Sequence, residues 1–308
     1  MGGGRVVALI IIAISSIGRP DLLKTLASLD GQDLDKARKL HVIIGDDSRD
    51  GAVPRLLENF APKRITVETI EVNRQNISHC RNATLNAALS HDECTHVGFI
   101  DDDEVAEPNW LSTLLHTLET NQADAAFGLV LSRFDDDVPM WLQQLDPLTR
   151  SRREKDGETS VGRTGNALLR ADKLRIADLS FDPDLGRTGG EDTAFFAAFK
   201  ELGNRLWFNA NARAHEFVPA SRMDPSFLLK RSMRSGQVYG SLMVSNKRSL
   251  FGRGLFYVDA LIKMFVGYGA AILLRPFSRG QSFLFKLRAA ANLGKLRSAF
   301  GMDLPELY

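Results

Sequence analysis

Cysteine is scarce: the 308 residues contain two, Cys80 and Cys94. Two such thiols give neither a disulfide framework nor metal-ligand spacing, which excludes a small secreted scaffold and fits a reducing, cytosolic setting. Net charge is also nearly absent, at +1, and no nucleic-acid partner is expected. The turn after the first apolar run, residues 15–20 (SSIGRP), lacks GxGxxG and so lacks the dinucleotide-binding fingerprint. That run, residues 6–14 (VVALIIIAI), is followed by no small-residue cleavage site, so it reads as a buried strand and not a signal peptide. Acids are nearly missing from the C-terminal third. Residues 222–300 hold fourteen Lys or Arg against two acids, Asp224 and Asp259.

What is present is an ordinary globular balance, 44% hydrophobic and 25% charged, with length for one large domain or a domain plus an appendage. After the first strand, Leu22, Leu23, Leu26 and Leu29 repeat at helical spacing. Residues 40–44 form a second strand that runs into Gly45, Asp46, Asp47 and Ser48. Strand, helix and strand make a βαβ unit, which predicts an α/β fold. Further strands are predicted at residues 66–72, 95–100, 125–131, 162–169 and, last and short, 206–209. Helices are predicted from residue 73 to 89 after a loop, from Pro108 onward, and over 193–202. Residues 135–160, with a second acidic triplet at Asp135–Asp137, read as a long solvated loop or mobile lid.

The fourth strand carries the sharpest signal. Val97, Gly98, Phe99 and Ile100 lead directly into Asp101, Asp102 and Asp103. A short apolar run with acids at its exit reads as a buried parallel strand opening into a crevice, where open α/β sheets bind their ligands. If the backbone stays extended, Asp101 and Asp103 point to one side and Asp102 to the other. Three carboxylates this close repel unless a cation or donors offset them, and a hard divalent ion bridging to phosphates suits them. Acidic triplets also occur in plain solvated turns. Glu191 and Asp192 open a helix, where capping and dipole complementation are the bland role, worth roughly 0.5–2 kcal/mol. His215 is a polar strand residue or a weak metal-ligand candidate.

The C-terminal stretch differs in kind. Lys230, Arg231 and Arg234 fall at helical spacing and suit a diphosphate or an anionic lipid. Residues 255–274 are strongly apolar but carry Asp259 and Lys263, costly in a true transmembrane helix. With Arg253, Arg275, Arg279, Lys286 and Arg288 around it, the segment is expected to lie at a membrane interface or to pack as a helical hairpin. The expected division is residues 1–240 and a basic, apolar helical tail, 241–308.

Four signals occur in one order: IAISSIGRPD, VIIGDDSRDG, GFIDDDEVAEPNWL and GGEDTAFF. Together with NISHCRNATLNAA, they resemble a family 2 glycosyltransferase with the GT-A fold, similar to exopolysaccharide glucosyltransferases of the succinoglycan type. The resemblance spans residues 6–237. It implies a Rossmann-like mixed sheet flanked by helices, and an inverting transfer of glucose or a related hexose from a UDP-sugar, aided by Mg²⁺ or Mn²⁺. The acceptor would be a saccharide or a polyprenyl-diphosphate-linked chain at the cytoplasmic membrane face, in cell-surface polysaccharide synthesis. It also implies roles. Ser15, Arg19, Asp46, Asp47, Arg81, Asp101 and Asp102 would bind the donor, with Asp46 or Asp47 on the uracil. Asp101 and Asp103 would hold the metal. Asp192 would be the base, beside Glu191, and Asn166, Arg231 and Arg234 would be phosphate or acceptor candidates. Two rivals use the same residues: a metal-dependent phosphohydrolase or nucleotidyltransferase, and a non-catalytic nucleotide-sugar-binding subunit.

Overall fold

The computed structural model describes residues 8–35, 38–149, 155–187, 189–245 and 249–303. Residues 6–7 of the expected first strand and 150–154 of the expected loop lie outside these. The chain forms two compact units. The first comprises Met1–Leu131, Arg150–Arg187 and Glu191–Glu216; the second comprises Ser132–Thr149, Thr188–Gly190 and Phe217–Tyr308.

The first half alternates strand and helix: β1 (Ala8–Ser16), α1 (Leu22–Asp30), β2 (Arg38–Asp46), α2 (Ala52–Leu57), β3 (Ile65–Glu71), α3 (Ile77–Ser90) and β4 (Cys94–Ile100). There follow β5 (Glu104–Ala106), α4 (Trp110–Thr120), β6 (Ala125–Phe134), α5 (Met140–Leu145), β7 (Gly157–Glu158), β8 (Asn166–Arg170), α6 (Ala171–Ala177), α7 (Glu191–Glu201) and β9 (Leu206–Val218). The chain ends in α8 (Pro225–Ser245), α9 (Leu250–Leu274) and α10 (Arg279–Ser298). The strand order is β3-β2-β1-β4-β8-β6-β9-β5, with β7 beside β9.

The strands β3, β2, β1 and β4 are parallel, and β8 runs antiparallel to β4. The β-branched runs of β1 and β2 are buried on both faces. Ile10, Ile12 and Ile14 pack with Leu22, Leu26 and Leu29 of α1 and with Trp110 and Leu114 of α4. Ile11, Ala13 and Ile43 face Leu85 and Ala88 of α3. Two faces covered by helices is the arrangement that parallel sheets require. Because β1, β2 and β4 run the same way, the SSIGRP turn after β1 and the two expected acidic exits open at one end of the sheet.

Several expectations need correction. The expected loop at 135–160 contains α5, whose Leu142 is buried against Val138, Leu228, Phe283 and Leu287 within the second unit. The last strand is not short. β9 continues to Val218 because Ala212, Ala214 and Val218 alternate inward among polar neighbours.

In the second unit α8 and α10 pack backbone to backbone. A Cβ on Gly236 would strike the Ala291 carbonyl, and one on Gly294 would strike that of Met233. The helix α9 packs through Ala260, Gly267 and Ala271 but leaves Leu255, Val258, Ile262, Phe265, Val266, Ile272 and Leu273 exposed. Among the described residues it is the one helix long and apolar enough to cross a membrane. Two of its charges pair with each other, with Lys263 Nζ 2.7 Å from Asp259 Oδ2.

Candidate active site

Parallel register brings the first pieces together. Ser16 lies beside Asp46, since β1 and β2 end level with one another. Ser16 Oγ donates to Asp102 Oδ2 at 2.6 Å and accepts from the Gly18 amide. Arg19, on the turn after β1, reaches Asp103 at 2.8 Å and Asp102 at 3.3 Å. The side chain that turns into the acids is therefore Ser16. Ser15, one step earlier on an alternating strand, lies on the other side, its Oγ buried without a hydrogen-bond partner among the described residues.

Asp101, Asp102 and Asp103 do not continue the extended strand. They form a turn, closed by the Glu104 amide donating to the Asp101 carbonyl at 3.2 Å. The turn buries Asp102 and half-buries its two neighbours. Glu104 folds back beneath it, accepting the Asp101 amide on Oε2 at 3.2 Å. Its strand β5 pairs with β9 so that Glu104 lies opposite Glu216. A glycine is required above this pocket. A Cβ on Gly165 would lie 2.7 Å from Glu104 Oε1 and 3.2 Å from Asp101 Oδ2.

Electrostatics follow from this crowding. Burial, then Asp101, Glu216 and Asp102, push Asp103 up to about 7 despite the Arg19 guanidinium. Burial and the neighbouring Asp101, Asp103 and Glu216 hold Glu104 well above the usual carboxylate range. Asp102 is raised by burial, opposed by the Ser16 hydroxyl and by Arg19. An array of hard oxygen ligands whose mutual repulsion Arg19 and Arg81 offset only in part fits Mg²⁺ or Mn²⁺, whose charge would relieve the rest.

A second network ties the triplet to the GGED segment. Arg81, buried near the start of α3, bridges Asp101 Oδ1 at 3.4 Å and, more tightly, Glu191 Oε1. Burial works against its charge, but Asp101, Glu191 and Asp192 hold the guanidinium firmly protonated. Glu191 is buried, and its Oε2 has no hydrogen-bond partner among the described residues. Burial raises its pKa against the pull of Arg81. Asp192, half-exposed on the first turn of α7, accepts the Thr193 amide on Oδ1 at 2.6 Å.

The two acids after β2 separate cleanly. Asp47 accepts the amides of Arg74, Gln75 and Asn76 at 2.6–2.7 Å through its two oxygens. Both oxygens are thus engaged in holding the loop before α3. The Asp46 carboxylate accepts the Ser48 amide at 2.9 Å. Asn76 then caps α3, accepting from the Ser78 and His79 amides.

Other candidates are placed elsewhere. Asn166 is not a phosphate or acceptor contact. It is buried, accepts from Trp110 Nε1 at 2.8 Å, and donates to the carbonyls of Leu129 and Ala212. His215 faces Glu107, at 2.9 Å from Oε1, and not the acids; the next residue, Glu216, is the one that faces them. Arg231 and Arg234 sit half-buried on α8 in the second unit. Sequence reasoning missed Ser16, Glu104 and Glu216. Ser16 and Glu104 adjoin motifs already noted, whereas Glu216 becomes visible only through the β5–β9 register.

Comparison with known proteins agrees with this arrangement. Residues 9–176 match the family model described as Glycosyl transferase family 2. The chain is 32% identical over 300 residues to the succinoglycan biosynthesis protein ExoM of Rhizobium meliloti (strain 1021), covering 96% of this chain and 94% of that protein. Among solved structures it is similar to S. aureus TarS 1-349 in complex with UDP, with TM-score 0.52 and 16% identity, covering 96% of this chain and 91% of that one. The complex of the same protein with UDP-GlcNAc gives TM-score 0.52 and 15% identity, covering 96% and 92%. At these identities the structural likeness shows the GT-A fold.

Proposed function

The chain belongs to glycosyltransferase family 2, and from that premise we propose that it transfers a hexose, with inversion, from a UDP-sugar to an acceptor hydroxyl in cell-surface polysaccharide synthesis. The observation that carries the proposal is two networks of paired groups that meet at the acidic turn along the strand exits. One joins Ser16 and Arg19 to Asp102 and Asp103; the other joins Asp101 through Arg81 to Glu191 and ends beside Asp192.

Roles follow from environment. Asp46 is the uracil contact, since Asp47 already accepts three amides. Asp102, held by Ser16 and Arg19, faces the ribose side of the donor. Asp101 and Asp103 would hold Mg²⁺ or Mn²⁺, which when bound supplies positive charge to the diphosphate. Asp192 takes the proton of the acceptor hydroxyl. That oxygen then bonds to the anomeric carbon from the face opposite the diphosphate, the carbon–oxygen bond to the diphosphate breaks, and UDP departs with the electron pair. Arg81 fixes Glu191, and with it the start of α7, so that Asp192 stands at a set height over the donor.

The acceptor is proposed to be a saccharide on a polyprenyl diphosphate at the cytoplasmic face of the membrane. The exposed apolar side of α9, flanked by Arg253, Arg275 and Arg279, supports this interfacial setting. Arg231 and Arg234 on α8 are candidates for the lipid or acceptor phosphates. The curated relative's name and the UDP and UDP-GlcNAc complexes of TarS support a polysaccharide pathway and a nucleotide-sugar donor.

The test is a thermal-shift screen of UDP-sugars with Mn²⁺, followed by product analysis with the stabilising donor. A donor at 100 times its Kd raises stability by about 2.7 kcal/mol. Transfer with inverted anomeric configuration is expected. Rapid release of UMP or sugar phosphate from donor without acceptor would instead assign a phosphohydrolase. Flotation with anionic vesicles tests the setting: Phe265→Glu with Val266→Glu should release the protein.

A further inference from the structure

Far from the acids, at the opposite ends of the same strands, three side chains converge that sugar transfer does not use. His41 lies in the first half of β2, Glu68 in the middle of β3, and His91 caps the C-terminus of α3. One ligand atom from each lies within 4.8 Å of the others. His41 Nε2 stands 3.4 Å from Glu68 Oε2, and the two imidazole rings are 5.7 Å apart.

The backbone dictates this meeting. His41 pairs with Thr66 and Ile43 with Glu68 in the parallel β2–β3 ladder. Thr66 and Glu68 therefore share one face of β3. That face is the one covered by α3, as the packing of Ile43 and Ile70 with Leu85 and Ala88 shows. His91 is held in place at the end of α3, because Arg175 donates to its carbonyl at 2.8 Å. Thr66 Oγ1 lies 2.6 Å from His41 Nδ1 and fixes the plane of that ring. It leaves Nε2 directed at the carboxylate.

We propose that His41, Glu68 and His91 form a binding site for a borderline divalent transition metal ion, Zn²⁺ in the first instance, separate from the oxygen-rich donor site. Two imidazoles and one carboxylate are ligands that Zn²⁺, Ni²⁺ and Cu²⁺ take readily and that Mg²⁺ does not favour. Tetrahedral bonds of about 2.0–2.1 Å put ligand atoms roughly 3.4 Å apart, which the His41–Glu68 spacing already meets. His91 is half-exposed and Glu68 exposed, so small rotations of both close the remaining gap. Thr66 supplies the outer hydrogen bond that metal-bound histidines characteristically make. Solvent completes the coordination, so the ion clasps β2, β3 and α3 together and is no part of the transfer chemistry. The competing account is a plain His41–Glu68 ion pair with a ring contact to His91.

The experiment uses metal-free full-length protein in excess Mg²⁺, which occupies the donor site. Zn²⁺ is titrated against a chromophoric chelator, and Cu²⁺ is examined by electron paramagnetic resonance. One equivalent of Zn²⁺ that Mg²⁺ does not displace is expected, with nitrogen couplings from two imidazoles in the Cu²⁺ spectrum. His91→Gln should weaken this equivalent at least tenfold, since groups that merely orient ligands are worth about 10–100-fold. Glu68→Gln, on the exposed edge, provides a second variant should the first fail to fold. Asp103→Asn should leave this equivalent intact, which separates it from the donor site. Equal Zn²⁺ affinity in wild type and both ligand variants, or a Cu²⁺ spectrum without nitrogen couplings, would overturn the proposal.

Discussion

The two ends of β4 meet burial in different surroundings. At its start, burial makes titratable groups neutral. His96, enclosed near Arg170 and Arg38, is pushed down to about 4, and the Cys94 thiol is pushed up to about 11. At its exit, burial raises Asp102, Asp103 and Glu104 too, but fixed partners oppose it: Arg19 and Ser16 on Asp102, Arg81 between Asp101 and Glu191. Giving up charge is the cheap response to desolvation, because an ion in a low-dielectric setting loses several kcal/mol of hydration. Strongly perturbed carboxylates crowded beside fixed cations are candidates for a working site. The contrast sets candidates for folding against candidates for chemistry along a single strand.

The strongest way to break this comparison is Asp192→Asn. If the exit is built for transfer, turnover should fall by about 10²–10⁴-fold, the range of a lost general base. Donor affinity and melting temperature should hardly move, because the Asp192 side chain is half-exposed and holds only the start of its own helix. Single-turnover kinetics beside UDP titration measures both. Unchanged turnover would assign the residue a capping role alone. Next comes Arg81→Met, which strands Asp101 and Glu191 without their shared cation. Removing one partner of a buried pair costs about 3–5 kcal/mol, readable as a shift in the denaturant midpoint. A loss below about 1 kcal/mol would mean the exit network carries little of the fold.

Much of this contrast was legible in the residues. The exits of β2 and β4 could be read because apolar runs end abruptly in acids, and parallel strands must deliver such ends to one edge. Register was the missing information. Glu216 has no acidic neighbour in sequence that marks it, and only its pairing opposite Glu104 brings it to Asp103. The Ser15 and Ser16 assignments differ by one residue, and one residue reverses the side of a strand. The triplet appeared extended because nothing local announces that Glu104 will cap it from below. Asn166 was a phosphate or acceptor candidate only through the family resemblance, and its partner, the Trp110 indole, lies 56 residues away.

Asp103→Asn sharpens the contrast by dividing activity from stability. Loss of one metal ligand should lower turnover by about 10²–10³-fold, comparable with losing one preorganised electrostatic contact. The metal-free fold should become more stable. An acid whose pKa rises from 3.8 to about 7 on folding binds more protons folded than unfolded, so wild-type stability falls as pH rises from about 4 to 7. Asn removes that penalty, by at most about 4 kcal/mol. The gain should appear above pH 7 without divalent ions and shrink when Mn²⁺ is added. A variant that is less stable than wild type at pH 8 without metal would show that the acids do not repel one another.

The smallest effect belongs to the start of the strand. His96 is held neutral, its pKa lowered from 6.5 to about 4. Above pH 6.5 it is neutral folded and unfolded and contributes no pH dependence. Between 6.5 and 4 the unfolded chain takes up a proton that the folded chain refuses. Stability therefore falls as pH is lowered through that window, by up to about 3 kcal/mol in total. His96→Gln cannot take up the proton, so its stability minus that of wild type should rise steadily from pH 6.5 to 4. The rise should appear equally with and without UDP and Mn²⁺, because the group lies at the end of β4 away from the acids. If the difference instead depended on donor or metal, the two ends of the strand would be coupled, and the division between folding residues and chemical residues would not hold along β4.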